Sequence, residues 1–579
     1  MTMLTKWGAA LDRSCPLPEY PRPQLRRESF YNLNGVWDYA VTPSGDEPGV
    51  WDGEIVVPFS PEAPLSGAAR GPAKDEYLHY RRGFTLPEGF QKSRVLLHFG
   101  AVDQIAEVFV NGVSAAKHSG GYWPFSADIT SLLREGENIL RVTVRDNADD
   151  PTFAYGKQRY KRGGMWYTAQ SGIWQTVWLE SVPEVYVKSL RITPEFDEAR
   201  VRIELETALE SSAAITCDVR AADGSFVAGS WAKGGVCVVP LPGFRAWTPD
   251  DPYLYTLDIT CGEDRVESYF AMRKFSYVEL DGHKVFGLNN APLFHNGLLD
   301  QGYYPDGLLT PPSDEAMVND IETMKRCGFN MLRKHIKIEP LRWYYHCDRL
   351  GMIVWQDMVS GGQPYSFLHV SALPTLGKVD LPDQDAKHYG RSGVLSRARF
   401  RREMADTVRL LYNCPCIALW TVFNEGWGQF DALDMGCELK KLDPTRFIDH
   451  ASGWQDQGYE EMKSRHIYFR PVKLKNDGRA LALTEYGGYI LAVDGHRWTD
   501  KVFGYRICRD SAALAHDYEK LMLGQVLPHI RKEGLTAAVY TQITDVEEEL
   551  NGLMTYDREV LKIPEETLRE INAALRFDA

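Results

Sequence analysis

The sequence has no long apolar run, no concentrated basic segment and no spaced cysteine pairs of the kind that bind zinc. No stretch approaches the roughly 18 consecutive apolar residues of a membrane-spanning helix. The amino terminus also lacks the continuous apolar core of a signal peptide. We therefore predict a cytoplasmic protein with no membrane partner.

The charge balance is acidic. Lys and Arg total 65 against 79 Asp and Glu, which gives a formal net charge of −14, and the basic residues form no cluster longer than a pair. Binding to a polyanion requires concentrated Lys and Arg that neutralise phosphates. Nucleic acid is therefore not an expected partner.

The ten cysteines are scattered, and Cys414 and Cys416 are the one close pair. A Cys-X-Cys disulfide is strained, and no further Cys or His pair stands near these two to complete a metal site. We expect buried free thiols and no metal ion.

Length and patterning predict several domains, because 579 residues are too many for one hydrophobic core. Residues 1–182 alternate short strands with turn residues, which predicts a β-sandwich, and Asn111-Gly112 predicts a hairpin turn within it. Residues 183–275 continue as alternating strands whose number suits a small immunoglobulin-like sandwich.

Residues 276–579 have a different period, because strand-length apolar segments now alternate with helical patterns. Such alternation predicts a parallel sheet, and eight strands in about 300 residues fit a (β/α)8 TIM barrel. Helices are predicted at 313–328, 396–412 and 511–533. The predicted strands begin at Leu293, Asn330, Met352, Ile417, Arg446, Ser464, Leu481 and Ala537.

Two of these strands end in a glutamate that glycines follow closely. The segment Ile417–Phe423 leads into Asn424 and Glu425, and a later strand leads into Glu485. Catalytic residues of a parallel barrel lie at the carboxyl ends of its strands. Cleaving an acetal with retention requires one carboxyl group that protonates the leaving oxygen and a second, roughly 5 Å away, that attacks the anomeric carbon. The two tips predict this pair; the alternative is that both glutamates cap loops or pair with arginines.

Over nearly its full length the chain resembles glycoside hydrolase family 2, the β-galactosidases, β-glucuronidases and β-mannosidases. The family implies a sugar-binding jelly-roll β-sandwich, an immunoglobulin-like sandwich and a catalytic barrel. It implies no metal ion or organic cofactor, and often a homo-oligomer. The motifs that carry the resemblance are Asn32-Leu-Asn-Gly-Val-Trp-Asp-Tyr, Ser171-Gly-Ile-Trp-Gln-Thr-Val-Trp-Leu-Glu, Gly328-Phe-Asn-Met-Leu-Arg333-Lys-His335, Cys347-Asp-Arg-Leu-Gly-Met-Ile-Val-Trp-Gln-Asp, Phe423-Asn424-Glu425 and Thr484-Glu485-Tyr486-Gly.

The resemblance assigns Glu425 as general acid/base and Glu485 as nucleophile. Arg333, at the tip of the second strand, is expected to hold Glu485 ionised through a charge-assisted hydrogen bond. Asn424 is the family's donor to the sugar 2-hydroxyl, and Tyr486 is expected to orient the nucleophile. The structural alternatives are a barrel-mouth ion pair for Arg333 and a packing ring for Tyr486.

Further residues are predicted to contact the sugar from the rim of the barrel or from the sandwich. The segment Leu299–Gly307 is predicted to be a long rim loop that narrows the pocket to exo-cleavage. The predicted contacts are His335, Asp357, Trp454, His466 and Tyr468 at barrel strand ends, and Asp146 and Trp166 in the sandwich.

The sugar itself is not determined by these motifs. Family glucuronidases carry an Asn-X-Lys pair before a glycine after the eighth strand, where the lysine binds the sugar carboxylate. Here that segment is Glu548-Glu-Leu-Asn551-Gly552, without the lysine, so another cation (Lys334, Arg470 or Arg558) would have to replace it.

We predict a retaining exo-β-glycosidase that acts on a small carbohydrate or glycoside. β-Galactosidase-like action is the first interpretation, and β-glucuronidase or β-galacturonidase action is the second. The rivals from other classes are a catalytically silent carbohydrate-binding protein and an interaction scaffold built on the β domains.

Overall fold

The structure is a computed structural model that describes residues 3–209, 214–377 and 380–577. It confirms the predicted fold class, with two β-sandwiches followed by an eight-stranded parallel barrel. Within the described ranges, no helix combines the length and the apolar character needed to cross a lipid bilayer.

The first sandwich buries its core between a four-stranded and a six-stranded sheet. Strand Ile105–Val110 buries alternate side chains, as expected for a sheet with one face in a core. The predicted hairpin is confirmed: Asn111 and Gly112 have φ values of 51° and 82° and join this strand to the next. The strands, sheet by sheet, are Tyr31–Asn32, Val177–Val182, Arg94–Phe99 and Phe125–Asp128, then Gly53–Val57, Gly35–Thr42, Tyr77–Phe84, Asn138–Arg145, Ile105–Val110 and Val113–Ser119.

The second sandwich is smaller and has its own hydrophobic core, which includes Val201, Ile203 and Leu257. Its ion pairs lie mostly on the surface. The strands, sheet by sheet, are Val187–Glu195, Arg200–Thr207 and Val236–Pro240, then Phe226–Ala232, Ile215–Arg220, Tyr255–Cys261 and Asp264–Phe270. The domain limits at residues 182 and 275 stay predictions.

The eight barrel strands are parallel, and their order around the sheet is 5-4-3-2-1-8-7-6. A hairpin of Phe275–Leu280 and His283–Leu288 precedes the barrel, and its Phe286 ring lies 4.3 Å from Phe447 and 5.9 Å from Trp355. The hairpin therefore fills the amino-terminal end and leaves the other end for function. The barrel strands are His295–Asp300, Met331–Lys334, Ile353–Asp357, Ile417–Thr421, Phe447–Asp449, Met462–Ile467, Ala480–Gly487 and Leu535–Thr541.

The helices lie close to their predicted positions. Ser313 Oγ accepts a hydrogen bond from Ala316 N, so the helix that begins at Asp314 has the predicted N-cap. The predicted helix 511–533 is continuous but contains a π-helical turn at Met522–Val526. The barrel helices are Asp314–Arg326, Leu341–Leu350, Val394–Leu411, Ala432–Leu442, Ser511–Leu521, Leu527–Glu533 and Glu565–Ala573.

Candidate active site

Glu425 follows the fourth barrel strand in a left-handed backbone conformation, with φ of 53°. Such a conformation is uncommon for a residue other than glycine and persists where neighbours impose it. Glu425 N donates to Ser452 O at 2.9 Å, and Trp454 Nε1 donates to Glu425 O at 2.9 Å. These two bonds fix the direction in which the carboxyl group projects, and they give Trp454 a structural role beside the acid.

Glu485 lies near the end of the seventh strand, and each of its carboxylate oxygens accepts a hydrogen bond. Arg333 Nη1 donates to Oε1 at 3.1 Å, and the Tyr468 hydroxyl donates to Oε2 at 2.5 Å. The Glu485 side chain is only 6% exposed. A carboxylate that accepts from a guanidinium and a phenol makes two charge-assisted hydrogen bonds, which fix its position.

The two glutamates face each other closely. One carboxylate oxygen of Glu425, one of Glu485 and a ring nitrogen of His466 all lie within 4.8 Å of one another. Retaining glycosidases hold their two carboxyl groups about 5 Å apart, whereas inverting enzymes need a gap of roughly 6.5–9.5 Å for a water molecule. The same three atoms could also ligate a small cation. The distance between the two carboxyl groups, each of which is held by hydrogen bonds, fits a retaining pair.

Arg333 connects three of the other predicted residues, Asp357, Glu485 and Asn424. It is fully buried, and its guanidinium contacts both oxygens of Asp357, at 3.0 and 3.1 Å, in addition to Glu485. Its Nη2 donates to Asn424 Oδ1 at 2.8 Å, so the amide nitrogen of Asn424 is the group left for a sugar hydroxyl. His335 Nδ1 lies 2.8 Å from Asp357 Oδ2. Burial opposes ionisation of Asp357, but the charge of Arg333 outweighs it and holds the Asp357 pKa at about 2.

A directed chain of hydrogen bonds reaches Glu425 through His466. Thr484 Oγ1 donates to the carbonyl of Arg465 at 3.5 Å, and Ser452 Oγ donates to Thr484 Oγ1 at 3.0 Å. Ser452 Oγ lies 3.2 Å from His466 Nε2, so it is left to accept a hydrogen bond from that nitrogen.

This chain sets the tautomer of His466. Burial lowers the His466 pKa to about 3, so the ring is neutral and a proton on Nε2 leaves Nδ1 as an acceptor. Nδ1 lies 2.8 Å from Glu425 Oε1, where it can accept a hydrogen bond from the protonated carboxyl group. Burial also raises the Glu425 pKa, against the opposing positive charge of Lys157.

The first sandwich contributes to the barrel mouth through residues 153–168, called here the excursion. Tyr155 N donates to Ser360 O at 3.1 Å and Thr168 N donates to Glu547 Oε1 at 2.8 Å, so barrel loops hold both of its ends. The Trp166 ring lies 5.0 Å from Trp427, two residues beyond Glu425. Trp166 therefore packs against the loop that follows the candidate acid, and its contact with a ligand stays a prediction.

Two predicted site residues lie elsewhere. Tyr486 is buried among barrel helices, with its hydroxyl 3.1 Å from Met522 Sδ, so the prediction that it orients the nucleophile is wrong and its alternative, a packing ring, holds. Asp146 does not reach the barrel mouth. It lines a separate cavity of about 320 Å³ beside Glu62 and Tyr160, and burial raises its pKa well above the ordinary value.

Sequence reasoning missed two features of the site. Tyr505 stacks on Tyr468 with ring centroids 3.8 Å apart, and it comes from a segment without a recognisable motif. Lys157 comes from the excursion, which has the irregular pattern of a surface loop. Neither position carried a sequence signal that tied it to the barrel mouth.

The three regions of the chain match three models of one protein family. Residues 64–183 match the sugar binding domain of glycosyl hydrolases family 2, residues 185–273 match the family's second domain, and residues 310–475 match its TIM barrel domain. Together the matches span more than half of the chain.

The chain belongs to glycoside hydrolase family 2. The family resemblance carried by the sequence motifs is therefore confirmed. Relatives within the family include a β-galactosidase of Halalkalibacterium halodurans, 23% identical over 500 residues that make up 78% of this chain and 45% of that protein. The chain spans about half, or less, of the length of such curated relatives, so what they do is not thereby shown for it.

Solved structures of family 2 enzymes share the fold along almost the whole chain. A β-glucuronidase of an uncultured Clostridium sp. superposes with a TM-score of 0.74 at 19% identity, covering 95% of this chain and 98% of that one. A β-galacturonidase of Eisenbergiella tayi bound to galacturonate gives a TM-score of 0.70 at 19% identity, covering 96% and 99%. Identities this low establish the fold alone.

Proposed function

We propose that the protein is a retaining exo-β-glycosidase that releases a terminal sugar by double displacement. The observation that supports this most is the pair of carboxylates, whose oxygens lie within 4.8 Å of each other with His466 beside them. That gap suits a covalent glycosyl-enzyme route, since it leaves no room for the water of an inverting mechanism.

The two glutamates differ in a way that divides their roles. Glu485 accepts hydrogen bonds from Arg333 and Tyr468, which hold its carboxylate in place to attack the anomeric carbon. Burial raises the Glu425 pKa, and His466 Nδ1 is placed to accept a hydrogen bond from the protonated carboxyl group, so Glu425 favours the neutral form that donates its proton to the substrate. We therefore assign Glu425 as the acid/base and Glu485 as the nucleophile.

The reaction then follows two balanced steps. The Glu485 carboxylate attacks the anomeric carbon while the Glu425 carboxyl proton passes to the glycosidic oxygen, so the aglycone leaves as an alcohol and a glycosyl ester forms. Glu425, now ionised, takes a proton from water, whose oxygen attacks the same carbon and releases Glu485. Two inversions give retention. The amide nitrogen of Asn424 is placed to donate to the sugar 2-hydroxyl, a contact that strengthens as the transition state forms.

Cleavage at the end of a sugar chain is supported by the protein segments that lie over the barrel mouth. The excursion lies on the sandwich side of the site, and Tyr303 of the rim segment Leu299–Gly307 packs its ring 4.9 Å from Tyr167 of the excursion. This cover favours a pocket for one terminal residue over an open cleft.

Replacement of each glutamate tests the assignment. Glu485→Gln is expected to abolish release of nitrophenol from aryl β-glycosides. In a Glu485→Gly variant, azide should restore turnover and give the inverted α-glycosyl azide, because azide attacks the vacated face. In a Glu425→Gly variant, azide should give the β-glycosyl azide, because the glycosyl-enzyme still forms. Full activity in Glu485→Gln would show that Glu485 is not the nucleophile and would contradict the proposed mechanism.

A catalytically silent carbohydrate-binding protein is the main rival. A panel of nitrophenyl β-galactoside, glucuronide, galacturonide, mannoside and arabinoside separates the two, because a pure binder would release no nitrophenol from any of them. Turnover of at least one glycoside, lost in Glu485→Gln, supports the enzyme.

A further inference from the structure

Lys157 is a buried cation of the excursion without an acidic partner. It is only 9% exposed, yet among the described residues no carboxylate oxygen lies within 4.0 Å of its ammonium. The neighbouring arginines differ: Arg162 pairs with Glu547 and Glu548, both at 3.6 Å, and Arg159 lies 3.9 Å from Asp149. One charge of this segment therefore sits at the end of a largely buried side chain, with no counter-ion in the part of the chain that the structure describes.

The ammonium of Lys157 belongs to the active site and not to the sandwich core. It lies 5.8 Å from the centre of the Trp166 ring, and that ring packs against Trp427 beside the candidate acid. Its positive charge acts on Glu425, on His335 and on Glu549, the last of these after the eighth barrel strand. These three residues come from three barrel strand ends, so the ammonium stands over the space for the sugar.

The other candidate cations are engaged or remote. Lys334 Nζ pairs with Asp300 at 2.7 Å and with Glu339 at 2.8 Å. Arg558 pairs with Asp320 at 3.1 Å and donates to the Tyr303 carbonyl at 2.8 Å. Arg470 is exposed.

Glu549 does not neutralise Lys157 by contact. Its carboxylate accepts hydrogen bonds from the Tyr167 hydroxyl and from Asn551 Nδ2, the latter at 3.2 Å. Its position is therefore fixed by these donors, beyond ion-pair distance of the ammonium. Arg333 is likewise occupied, by Asp357 and Glu485. Among the described residues, Lys157 is thus a cation beside the site that has no carboxylate within ion-pair distance and can receive a negative charge from a ligand.

A cation that has no counter-ion in a largely apolar wall can form a charge-assisted hydrogen bond with an anionic ligand group. We propose, building on the glycosidase function above, that Lys157 binds the carboxylate of a β-linked uronic acid and makes the enzyme select uronides over the corresponding neutral sugars. The cation comes from the sandwich excursion, so substrate selection depends on a different domain from the one that carries the catalytic pair.

Matched substrates and variants test this selection. The substrates are nitrophenyl β-galacturonide and β-glucuronide, each compared with the neutral β-galactoside or β-glucoside of the same ring configuration. The wild-type protein should have the higher kcat/KM for a uronide. Lys157→Met keeps the length and apolar stem of the side chain but removes the charge, and it should lower the ratio of uronide to neutral kcat/KM roughly 10- to 100-fold.

Two further variants serve as controls. Lys157→Arg keeps the charge and should retain most of the preference for uronides. Lys161→Met removes the same charge from an exposed position of the excursion and should leave the ratio unchanged. Circular dichroism and thermal unfolding of each variant show whether it folds.

The outcomes separate this inference from the glycosidase function. Wild-type preference for a neutral sugar, or equal losses on both substrates in Lys157→Met, would overturn the role of Lys157 while leaving the glycosidase in place. No hydrolysis of any substrate would overturn the glycosidase. In that case calorimetric binding of glucuronate and galacturonate still decides: loss of binding in Lys157→Met supports the role, and unchanged or absent binding rejects it.

Discussion

The Tyr468 hydroxyl lies 2.5 Å from Glu485 Oε2 and 3.0 Å from Thr541 Oγ1, closer to the candidate nucleophile than Arg333 is. A hydrogen bond to a charged group contributes about 1.5–3 kcal/mol. Tyr468→Phe removes this bond and keeps the ring that stacks on Tyr505. We expect kcat/KM to fall about 10- to 100-fold, measured on the best nitrophenyl glycoside, with the thermal unfolding temperature nearly unchanged.

Tyr486→Phe is the matched control, since it deletes the same atom from the residue adjacent to Glu485. The Tyr486 hydroxyl contacts only the weakly accepting sulfur of Met522 among its described neighbours. Its kcat/KM should stay near the wild-type value. A loss in Tyr486→Phe as large as that in Tyr468→Phe would reverse the assignment.

The tautomer of His466 makes a prediction about pH with a definite sign. If the Glu425 carboxyl group donates to Nδ1, this bond favours the protonated acid, so His466→Phe should lower the Glu425 pKa. The alkaline limb of the kcat/KM profile, where the acid loses its proton, should then move to lower pH. Movement to higher pH would mean that Nδ1 carries the proton and donates it to a carboxylate.

Ser452→Ala tests the origin of that tautomer. It removes the acceptor of the Nε2 proton but leaves the ring of His466 in place. The alkaline limb should move in the same direction as in His466→Phe, by a smaller amount, because Nδ1 still lies beside Glu425. If the alkaline limb stays at the same pH in Ser452→Ala, the hydrogen-bond chain does not control the protonation of Glu425.

The site residues that could be predicted from the sequence are those at the carboxyl ends of the barrel strands. Glu425, Glu485 and Arg333 follow from strand length and from the rule that barrel strands deliver their tips to one mouth. Tyr486 failed for a reason that sequence already contains, because successive side chains of a strand point to opposite faces. Lys157 and Tyr505 could not be predicted, since they reach the site from irregular segments whose paths depend on tertiary packing.

At the level of elements, the seventh strand depends on the glycine that follows the nucleophile and its tyrosine. Gly487 has φ of 82°, and a Cβ atom there would lie 2.2 Å from the Tyr540 ring on the eighth strand. Gly487→Ala should therefore displace either the strand end or Tyr540. We expect a lower unfolding temperature and a kcat reduced at least about tenfold, because a misplacement of about 1 Å is costly in catalysis.

Gly478→Ala is the control for the energetic cost of placing alanine at a positive φ without a new side-chain contact. Gly478 also has positive φ, 95°, but no heavy atom lies within 4 Å of its added Cβ. It should lose only the backbone cost of about 1–2 kcal/mol and keep its kcat. Equal effects of the two substitutions on kcat would show that the contact with Tyr540 is not the cause.

The periodic elements were predictable and their limits were less so. All eight barrel strands lie where apolar segments predicted them, but the first runs from His295 to Asp300 instead of starting at Leu293. Hydrogen bonding to neighbouring strands decides such ends, and a single segment does not specify its neighbours. The excursion has no periodic pattern of apolar residues, so its contact with the barrel loops could not be predicted from the sequence.

At the scale of the whole molecule, the first sandwich and the barrel pack together at the helix Val394–Leu411. Trp123 Nε1 of the sandwich donates to Thr407 Oγ1 of this helix at 3.1 Å. One turn earlier, Glu403 is 4% exposed, and its Oε1 has no hydrogen-bond donor among the described residues. The interface between the first sandwich and the barrel therefore contains a buried acid.

The buried acid of this interface predicts how stability varies with pH. Burial raises the Glu403 pKa from 4.5 to about 7, against the opposing charge of nearby arginines. A carboxyl group whose pKa is higher in the folded state contributes stability that is fully present below pH 4.5 and is lost as the pH rises through about 7. Glu403→Gln stays neutral, so its thermal unfolding temperature should exceed that of the wild type at pH 8 and match it at pH 4. The exposed Glu570→Gln, on another barrel helix, should differ little from the wild type at either pH. An equal change at both pH values in Glu403→Gln would trace its effect to packing and not to ionisation.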